Sequence, residues 1–160
     1  MKYDRYELQV GESLMFYEFE SDGPKGKVTK LIEYTEMGIK GVYNLGFGDK
    51  DLLTGHLNDI VITNNGDGKK ILATVASTVL AFTNKYPDAW VYATGSCKAR
   101  TRLYRIGISN NLTEILQNFD IYGLVNDLWY DFERNTEYEA FLVKRKNSKF
   151  DYENERIQRV

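Results

Sequence analysis

A glycine-containing segment in the middle of the chain, residues 63–70 (TNNGDGKK), has the residue types of an anion-binding turn. Glycine allows positive φ angles and lets a ligand come close to the backbone. If a helix starts here, its first amide groups have no partner inside the helix, and the helix dipole makes them attractive to phosphate or pyrophosphate. The predicted anion-binding residues are Asn65, Gly66, Asp67, Gly68, Lys69 and Lys70.

The same turn also has a purely structural interpretation. Asn64, Asn65 and Asp67 are common turn formers, and Asp67 is placed to cap the following helix with its own carboxylate. The spacing from the first glycine to the Gly-Lys pair is not that of a P-loop, and short glycine motifs are weak evidence on their own. For the turn considered alone, an ordinary tight turn with a helix cap is therefore the preferred interpretation.

A second segment, residues 96–106 (SCKARTRLYRI), is unusually basic for a chain with a net charge of −2. Its cations, all candidates for contact with an anion or an acidic partner, are Lys98, Arg100, Arg102 and Arg105. Arginine suits phosphate because its guanidinium donates two parallel hydrogen bonds. The alternative is a solvated helix face that pairs with nearby carboxylates, and both interpretations remain open.

The helical wheel of this basic segment separates an apolar face from a polar one. We expect the apolar face, formed by Ala99, Leu103 and Ile106, to dock on a sheet. Arg100 and Tyr104 are then predicted to lie on the far side of the helix, pointing away from the core.

Three further sets of residues do not predict a site. Cys97 and His56 lie in separate segments without a third residue to orient them, so neither is expected to act as a nucleophile or base. The acidic residues near His56 lack EF-hand spacing and a second histidine, and no metal site is expected. Trp90 and Trp129 are expected to pack within the sheet, because no RNA-recognition motif accompanies them.

The strands that position these segments are indicated by apolar alternation and by turn residues. They are predicted over residues 14–19, 28–34, 41–47, 57–63, 89–94, 121–125 and 138–143. Together with three helices they give the order ββββ-α-β-α-α-ββ. This order predicts an α+β fold with a mixed, mostly antiparallel central sheet of about six or seven strands.

The helices are indicated by apolar residues at helical spacing. The first is predicted over residues 69–86 and ends before Pro87. The second is the basic segment, with Ser96 as its N-cap and Gly107 as its glycine stop. A short third helix follows Asn111, which has capping-box spacing to the glutamate three residues later.

The bulk composition is that of one globular domain. The 160 residues are enough to bury a core, and the single cysteine excludes an intramolecular disulfide. The chain starts without an apolar leader and contains no run of 18 apolar residues, so we expect a cytoplasmic protein with no membrane segment. Residues 1–145 are predicted to form a single α+β domain, and residues 146–160 a polar, mobile tail.

The order and spacing of these parts resemble the GNAT superfamily of acyl-CoA-dependent N-acetyltransferases. In that family a strand of a parallel pair leads into an (Arg/Gln)-x-x-Gly-x-(Gly/Ala) turn that holds the CoA pyrophosphate, and Thr63-x-x-Gly66-x-Gly68 is similar. A later helix in the family often reads Ala-x-x-Leu-Tyr-x-x-x-Gly-Phe, and residues 99–108 (ARTRLYRIGI) look similar. The likeness covers about residues 41–143 and implies a GNAT-like fold.

The resemblance also implies a chemistry. It implies that acetyl-CoA or another acyl-CoA is the cofactor and that the protein transfers an acyl group directly to an amine. It implies Tyr104 as the general acid that protonates the leaving thiolate, and Asp59 as the base. More closely, the pattern NNGD…LATVAST…YATGS-x-ARTRLYR is similar to a family of short, uncharacterised bacterial proteins, a domain of unknown function.

Two other functions stay open beside acyl transfer. One is a non-enzymatic binding module that uses the basic helix, residues 96–106, to hold nucleic acid or an acidic protein partner. Nucleic acid is the less favoured partner, because the net charge of −2 provides no general attraction to it. The other is a structural partner that forms an oligomer through an exposed strand edge.

Overall fold

The computed structural model describes residues 4–58 and 63–146. Over these residues the chain forms nine strands and three helices, where six or seven strands were expected. In chain order they are β1 (Gln9–Val10), β2 (Phe16–Gly23), β3 (Gly26–Glu36), β4 (Val42–Lys50), β5 (Leu57–Asn58), α1 (Gly68–Lys85), β6 (Trp90–Ala93), α2 (Lys98–Asn110), α3 (Leu112–Ile115), β7 (Phe119–Val125), β8 (Leu128–Asp131) and β9 (Phe141–Arg145). The α+β class and the predicted order are confirmed, with β1 and β8 as additions.

The strands form one open, mostly antiparallel sheet in the order β1-β2-β3-β4-β6-β9-β7-β8, with β5 paired to β4. Among the described strands the parallel neighbours are β4 and β6, which pair over Val42–Asn44 and Trp90–Tyr92. β5 instead runs antiparallel to β4, opposite Asp49 and Lys50. The parallel pairing implied for residues 57–63 is therefore wrong for the part that is described, because β5 is the short return strand of a hairpin. β4 is the parallel partner of β6.

All three helices cover the same face of the sheet. Cross-strand pairing places Val91 beside Val143, and Val143 beside Ile121. α1 packs in one core cluster with Val91, while α2 and α3 pack in a second cluster with Ile121. In the first cluster the rings of Tyr34 and Phe82 are stacked, with centroids 4.2 Å apart. The opposite face of the sheet therefore carries no helix within the described residues.

The first two helices differ in how well their ends were predicted. α1 lies within one residue of the predicted range at each end. α2 does not stop at Gly107 but continues to Asn110. A Cβ at Gly107 would come within 2.9 Å of Leu72 Cδ1 on α1, so this glycine allows the two helices to approach closely. It is a packing position rather than a helix stop.

The predicted side-chain caps of the short connections are also wrong. The N-cap residue of α2 is Cys97 rather than Ser96, and its side chain makes no hydrogen bond to the helix. The Asn111 amide donates backward to the Gly107 carbonyl oxygen at 2.9 Å and does not cap α3.

The missed strand β8 follows a tight hairpin turn. Asn126 and Asp127 both have positive φ angles, 49° and 65°, as a two-residue turn requires. Every residue of β8 is exposed, so it lacks the alternation of buried and exposed positions by which strands are recognised.

Within the described residues no helix is long and apolar enough to cross a membrane. Residues 147–160 of the predicted tail, and Asp59, lie outside the described residues.

Candidate functional site

A cavity of about 750 Å³ lies between α1, α2, α3 and the sheet. It follows α1 from the glycine turn before it to Leu80. From Gly68 to Leu80 this is about 18 Å at the helical rise per residue. Most of the lining is apolar and includes Leu72, Val75, Val79, Leu103, Ile106 and Val143. The cavity is therefore a long apolar space with the amino-terminal end of a helix at one of its ends.

α2 is rotated relative to the orientation predicted from its wheel. Its buried residues are Thr101 and Tyr104, whereas Ala99 is exposed and Ile106 is 39% exposed. Leu103 and Ile106 line the cavity instead of docking on the sheet. The predicted docking face is therefore wrong, and so is the outward position of Tyr104. On the same helix Gly107 comes close to Leu72 of α1, so α2 approaches α1 while Leu103 and Ile106 line the cavity.

Tyr104 is the functional candidate that the structure brings to the cavity wall. Its ring packs in the second core cluster with Ile121 and Phe141. Burial raises the pKa of the Tyr104 phenol, while the positive charge and hydrogen bond of Arg100 lower it. Because the net shift is upward from 10, the phenol is protonated at neutral pH. It is therefore a proton donor next to an apolar space.

The glycine turn is held in place by the side chain of Asn65, which is 1% exposed. The Asn65 amide donates to Ser21 Oγ at 3.2 Å and to the Gly26 carbonyl oxygen at 2.8 Å. Its oxygen accepts a bond from the backbone N–H of Lys25 at 2.8 Å. Gly66 has a φ of 73°, a conformation that favours glycine. The Asn65 side chain is thus an anchor to the β2–β3 hairpin rather than a ligand contact.

Asp67 occupies the first cap position of α1, but its carboxylate does not cap the helix. Asp67 Oδ2 accepts hydrogen bonds from the Tyr6 hydroxyl at 2.6 Å and from Ser21 Oγ at 2.5 Å. The prediction of a side-chain cap is therefore wrong. Oδ2 bonds the two hydroxyls, and Oδ1 is buried without a hydrogen-bond partner among the described residues. The first N–H groups of α1 therefore donate no hydrogen bond to this carboxylate.

The two lysines of the turn both line the cavity. Lys70 Nζ lies 4.2 Å from the ring centroid of Tyr6, a distance typical of a cation–π contact. Lys69 is exposed. On the opposite wall, Leu103 Cδ1 is 3.9 Å from the position of a Cβ on Gly68. Positive charge and apolar surface therefore meet at this end of the cavity.

A buried ion pair, which was not predicted from the sequence, holds the backbone of the first residue of the turn. Lys30 is fully buried and pairs with Asp49. Lys30 Nζ also donates to the Thr63 carbonyl oxygen at 2.8 Å, and Asp49 Oδ2 accepts from the Thr63 N–H at 3.0 Å. Both backbone groups of the first turn residue are thus fixed. The signal was available, because Lys30 shares its strand face with the apolar residues Ile32 and Tyr34.

The four cations of α2 do not act as one set. Arg100 is partly covered and lies over the Phe47 ring, 5.3 Å from its centroid. Lys98 and Arg102 are exposed and Arg105 is half-buried. The binding-module hypothesis stays a prediction for the exposed members of this set. Arg100 is more closely associated with the cavity wall, through its contact with Tyr104.

The remaining reactive side chains form no constellation. Cys97 and His56 are both exposed. Among the residues that the structure describes, no group of three or more histidine, cysteine, aspartate or glutamate side chains is placed to hold a metal ion.

Comparison with known proteins identifies a family but no activity. Residues 2–146 match the model of a family of unknown function (DUF6934), and the chain belongs to that family. No curated protein and no solved structure matches the chain. The expected membership of an uncharacterised family is confirmed. The GNAT-like relationship and a bacterial origin stay predictions.

Proposed function

Since membership of this family assigns no activity, we propose from the site that the protein binds an acyl-CoA in the cavity between α1 and α2. The proposal depends chiefly on one observation: a single cavity joins the amino-terminal end of α1 to the phenol of Tyr104. An acyl-CoA has a matching distribution of properties, with an anionic pyrophosphate and an apolar acyl group. We further propose that the bound acyl group is transferred to an amine.

The anionic end of the ligand is proposed to lie at the start of α1. The first amides of a helix attract phosphate through their unpaired N–H groups and the helix dipole. The Asp67 carboxylate makes no hydrogen bond to these N–H groups, and its Oδ2 accepts from Tyr6 and Ser21 instead. Lys69 and Lys70 line the same end of the cavity and add positive charge. Asn65 contributes by holding the turn in shape.

The apolar part of the ligand is proposed to lie along α1. The cavity volume of about 750 Å³ falls in the range of small-molecule sites, roughly 300–1,000 Å³. Its apolar lining reaches about 18 Å along the helix, given the rise of 1.5 Å per residue. Each methylene group buried there should contribute about 0.8 kcal/mol to binding. The site therefore favours longer acyl chains over an acetyl group.

Tyr104 is proposed as the general acid. A bound acyl-CoA supplies an activated acyl group, and its transfer to an amine leaves a thiolate that needs a proton. A tyrosine phenol is protonated at neutral pH, and burial raises the pKa of Tyr104 further, so Tyr104 can donate a proton at its phenol oxygen. Asp59, proposed as the base for the amine proton, lies outside the described residues.

The binding proposal is tested by a thermal-shift screen of acetyl-CoA, longer acyl-CoA thioesters and free nucleotides. A ligand that binds only the folded state raises the melting temperature. Ala76→Trp places a large ring in the cavity and should abolish the shift, whereas Ala99→Trp, on the exposed side of α2, should preserve it. An unchanged melting temperature with every acyl-CoA at millimolar concentration would overturn the proposal, as would equal shifts in the two variants.

A further inference from the structure

β8 forms one edge of the sheet, and three of its four residues are apolar and exposed. Its only neighbour among the described strands is β7. Leu128, Trp129 and Tyr130 are 59%, 40% and 50% exposed. The opposite edge strand, β1, has only two residues, which is one way in which proteins prevent edge pairing. β8 has no lysine, proline or bulge, and Asp131 is its only charged residue.

The free edge of β8 presents unpaired backbone groups at known positions. The N–H of Phe132, the residue after β8, donates to the Ile121 carbonyl oxygen of β7 at 3.0 Å. In an antiparallel pair, alternate residues turn both backbone groups to the same side. Positions 128, 130 and 132 therefore face β7. The backbone groups of Trp129 and Asp131 point away from the sheet, where no described strand accepts them.

We propose that β8 pairs antiparallel with β8 of a second copy of this chain, which joins the two sheets into one. Residues that face each other across two strands must lie on the same face of the sheet. Of the registers that meet this condition, one places Trp129 opposite Trp129 of the second copy. In that register Leu128 of each copy lies opposite Tyr130 of the other copy. The large side chains of both faces are then paired with large side chains.

The backbone groups also match in this register. Trp129 has its N–H and carbonyl turned outward on both copies, so the two residues can exchange both hydrogen bonds. Aromatic cross-strand pairs are among the more stabilising pairs in sheets. Trp129 already contacts Tyr92 on the helix-free face, with ring centroids 6.2 Å apart. The dimer would extend this row of rings across the two-fold axis.

The pairing should be weak and reversible. With side chains of about 150–250 Å², the exposed fractions of these residues leave on the order of 300 Å² of apolar area per chain. A stable interface buries about 800 Å² per partner. Asp131 would also lie opposite Asp127 of the second copy, and this repulsion acts against association. We therefore expect a dimer that forms at high protein concentration and dissociates on dilution.

The association is tested by sedimentation velocity of the full chain over a dilution series. The weight-average sedimentation coefficient should rise with concentration toward that of a dimer. Trp129→Lys places the two lysines opposite each other at the two-fold axis and should keep the protein monomeric. The control is Ile39→Lys, which adds a lysine at an exposed residue of the β3–β4 turn and should leave the association unchanged. A monomer at every concentration, or association unchanged by Trp129→Lys, would overturn the proposal. The inference is independent of the cavity ligand.

The register is tested by disulfide trapping in a Cys97→Ser background, which removes the exposed natural thiol. Trp129→Cys should give a covalent dimer on oxidation, because opposed Cα atoms about 5.5 Å apart can be bridged. Leu128→Cys should crosslink poorly, since position 128 of the second copy is then diagonal to it. Crosslinking of Leu128→Cys or Tyr130→Cys in preference to Trp129→Cys contradicts this register. Dimerisation that appears only when residues 147–160 are deleted would show that the tail, not a second copy, pairs with the edge.

Discussion

Replacement of Lys30 by methionine should destabilise the fold severely. Methionine has a similar length, so packing is largely kept, but the carboxylate of Asp49 loses its cation within the protein interior. Breaking one side of a buried ion pair costs about 3–5 kcal/mol. The Thr63 carbonyl oxygen also loses its donor. Since a domain of this kind is stable by only about 5–15 kcal/mol, a fifth or more of the stability should be lost.

The measurement is urea unfolding followed by circular dichroism. With a slope of about 2 kcal/mol/M, Lys30→Met should lower the unfolding midpoint by about 2 M. Lys50→Met is the matched control, because Lys50 pairs with Glu18 at 2.9 Å on the partly exposed surface. Such a pair contributes about 0–1 kcal/mol. The control should therefore shift the midpoint only slightly.

The double variant Lys30→Met/Asp49→Leu separates the ion pair from the packing. It removes both charges and leaves the Thr63 N–H and carbonyl without their side-chain partners, at about 1–3 kcal/mol each. Its loss should be smaller than the sum of the two single losses, which gives a coupling energy of a few kcal/mol. A loss below 1 kcal/mol for Lys30→Met, or additive effects of the two single variants, would show that Lys30 and Asp49 are not a coupled buried pair.

Three further predictions concern the cavity and the turn. Gly107→Ala should lower the free energy of unfolding, measured in urea, by up to about 2 kcal/mol, because the clash with Leu72 costs about 1–3 kcal/mol and the gain in helix propensity is only about 1 kcal/mol. A stabilised variant would contradict the close packing of α1 and α2. Asn65→Ala should cost about 1–3 kcal/mol, and the exposed Asn64→Ala clearly less; equal losses would argue against the anchor. Tyr104→Phe should lower acyl transfer to an amine by roughly 10²–10⁴-fold in a thiol-release assay while acyl-CoA still binds, and unchanged turnover would exclude Tyr104 as the acid.

Much of the fold could be predicted because it depends on local patterns. α1 has apolar residues at helical spacing over its whole length, and Pro87 marks its end. β2 alternates buried and more exposed residues, since one of its faces is buried. β8 lacked this signal because neither of its faces is buried. Its hairpin is defined instead by the positive φ angles of Asn126 and Asp127.

The candidate site was predicted in its parts but not in its arrangement. The glycine turn and Tyr104 were both identified, yet the wheel of α2 assigned Tyr104 to the wrong side. A wheel counts apolar residues, whereas the orientation of α2 depends on a long-range contact between Gly107 and Leu72. The partners of Asp67 lie 46 and 61 residues away in sequence. No local pattern specifies such pairings, so only the folded chain reveals that this carboxylate makes no hydrogen bond to the helix amides.

Calorimetric titration with CoA thioesters of increasing chain length measures whether one cavity holds both ends of an acyl-CoA. Affinity should rise with each added methylene, by up to about 0.8 kcal/mol, until the cavity of about 750 Å³ is filled. Ala76→Trp should remove this dependence on chain length, and Ala99→Trp should retain it. Equal affinity for CoA and for long-chain thioesters, or a chain-length dependence that survives Ala76→Trp, would contradict binding of the acyl group in this cavity.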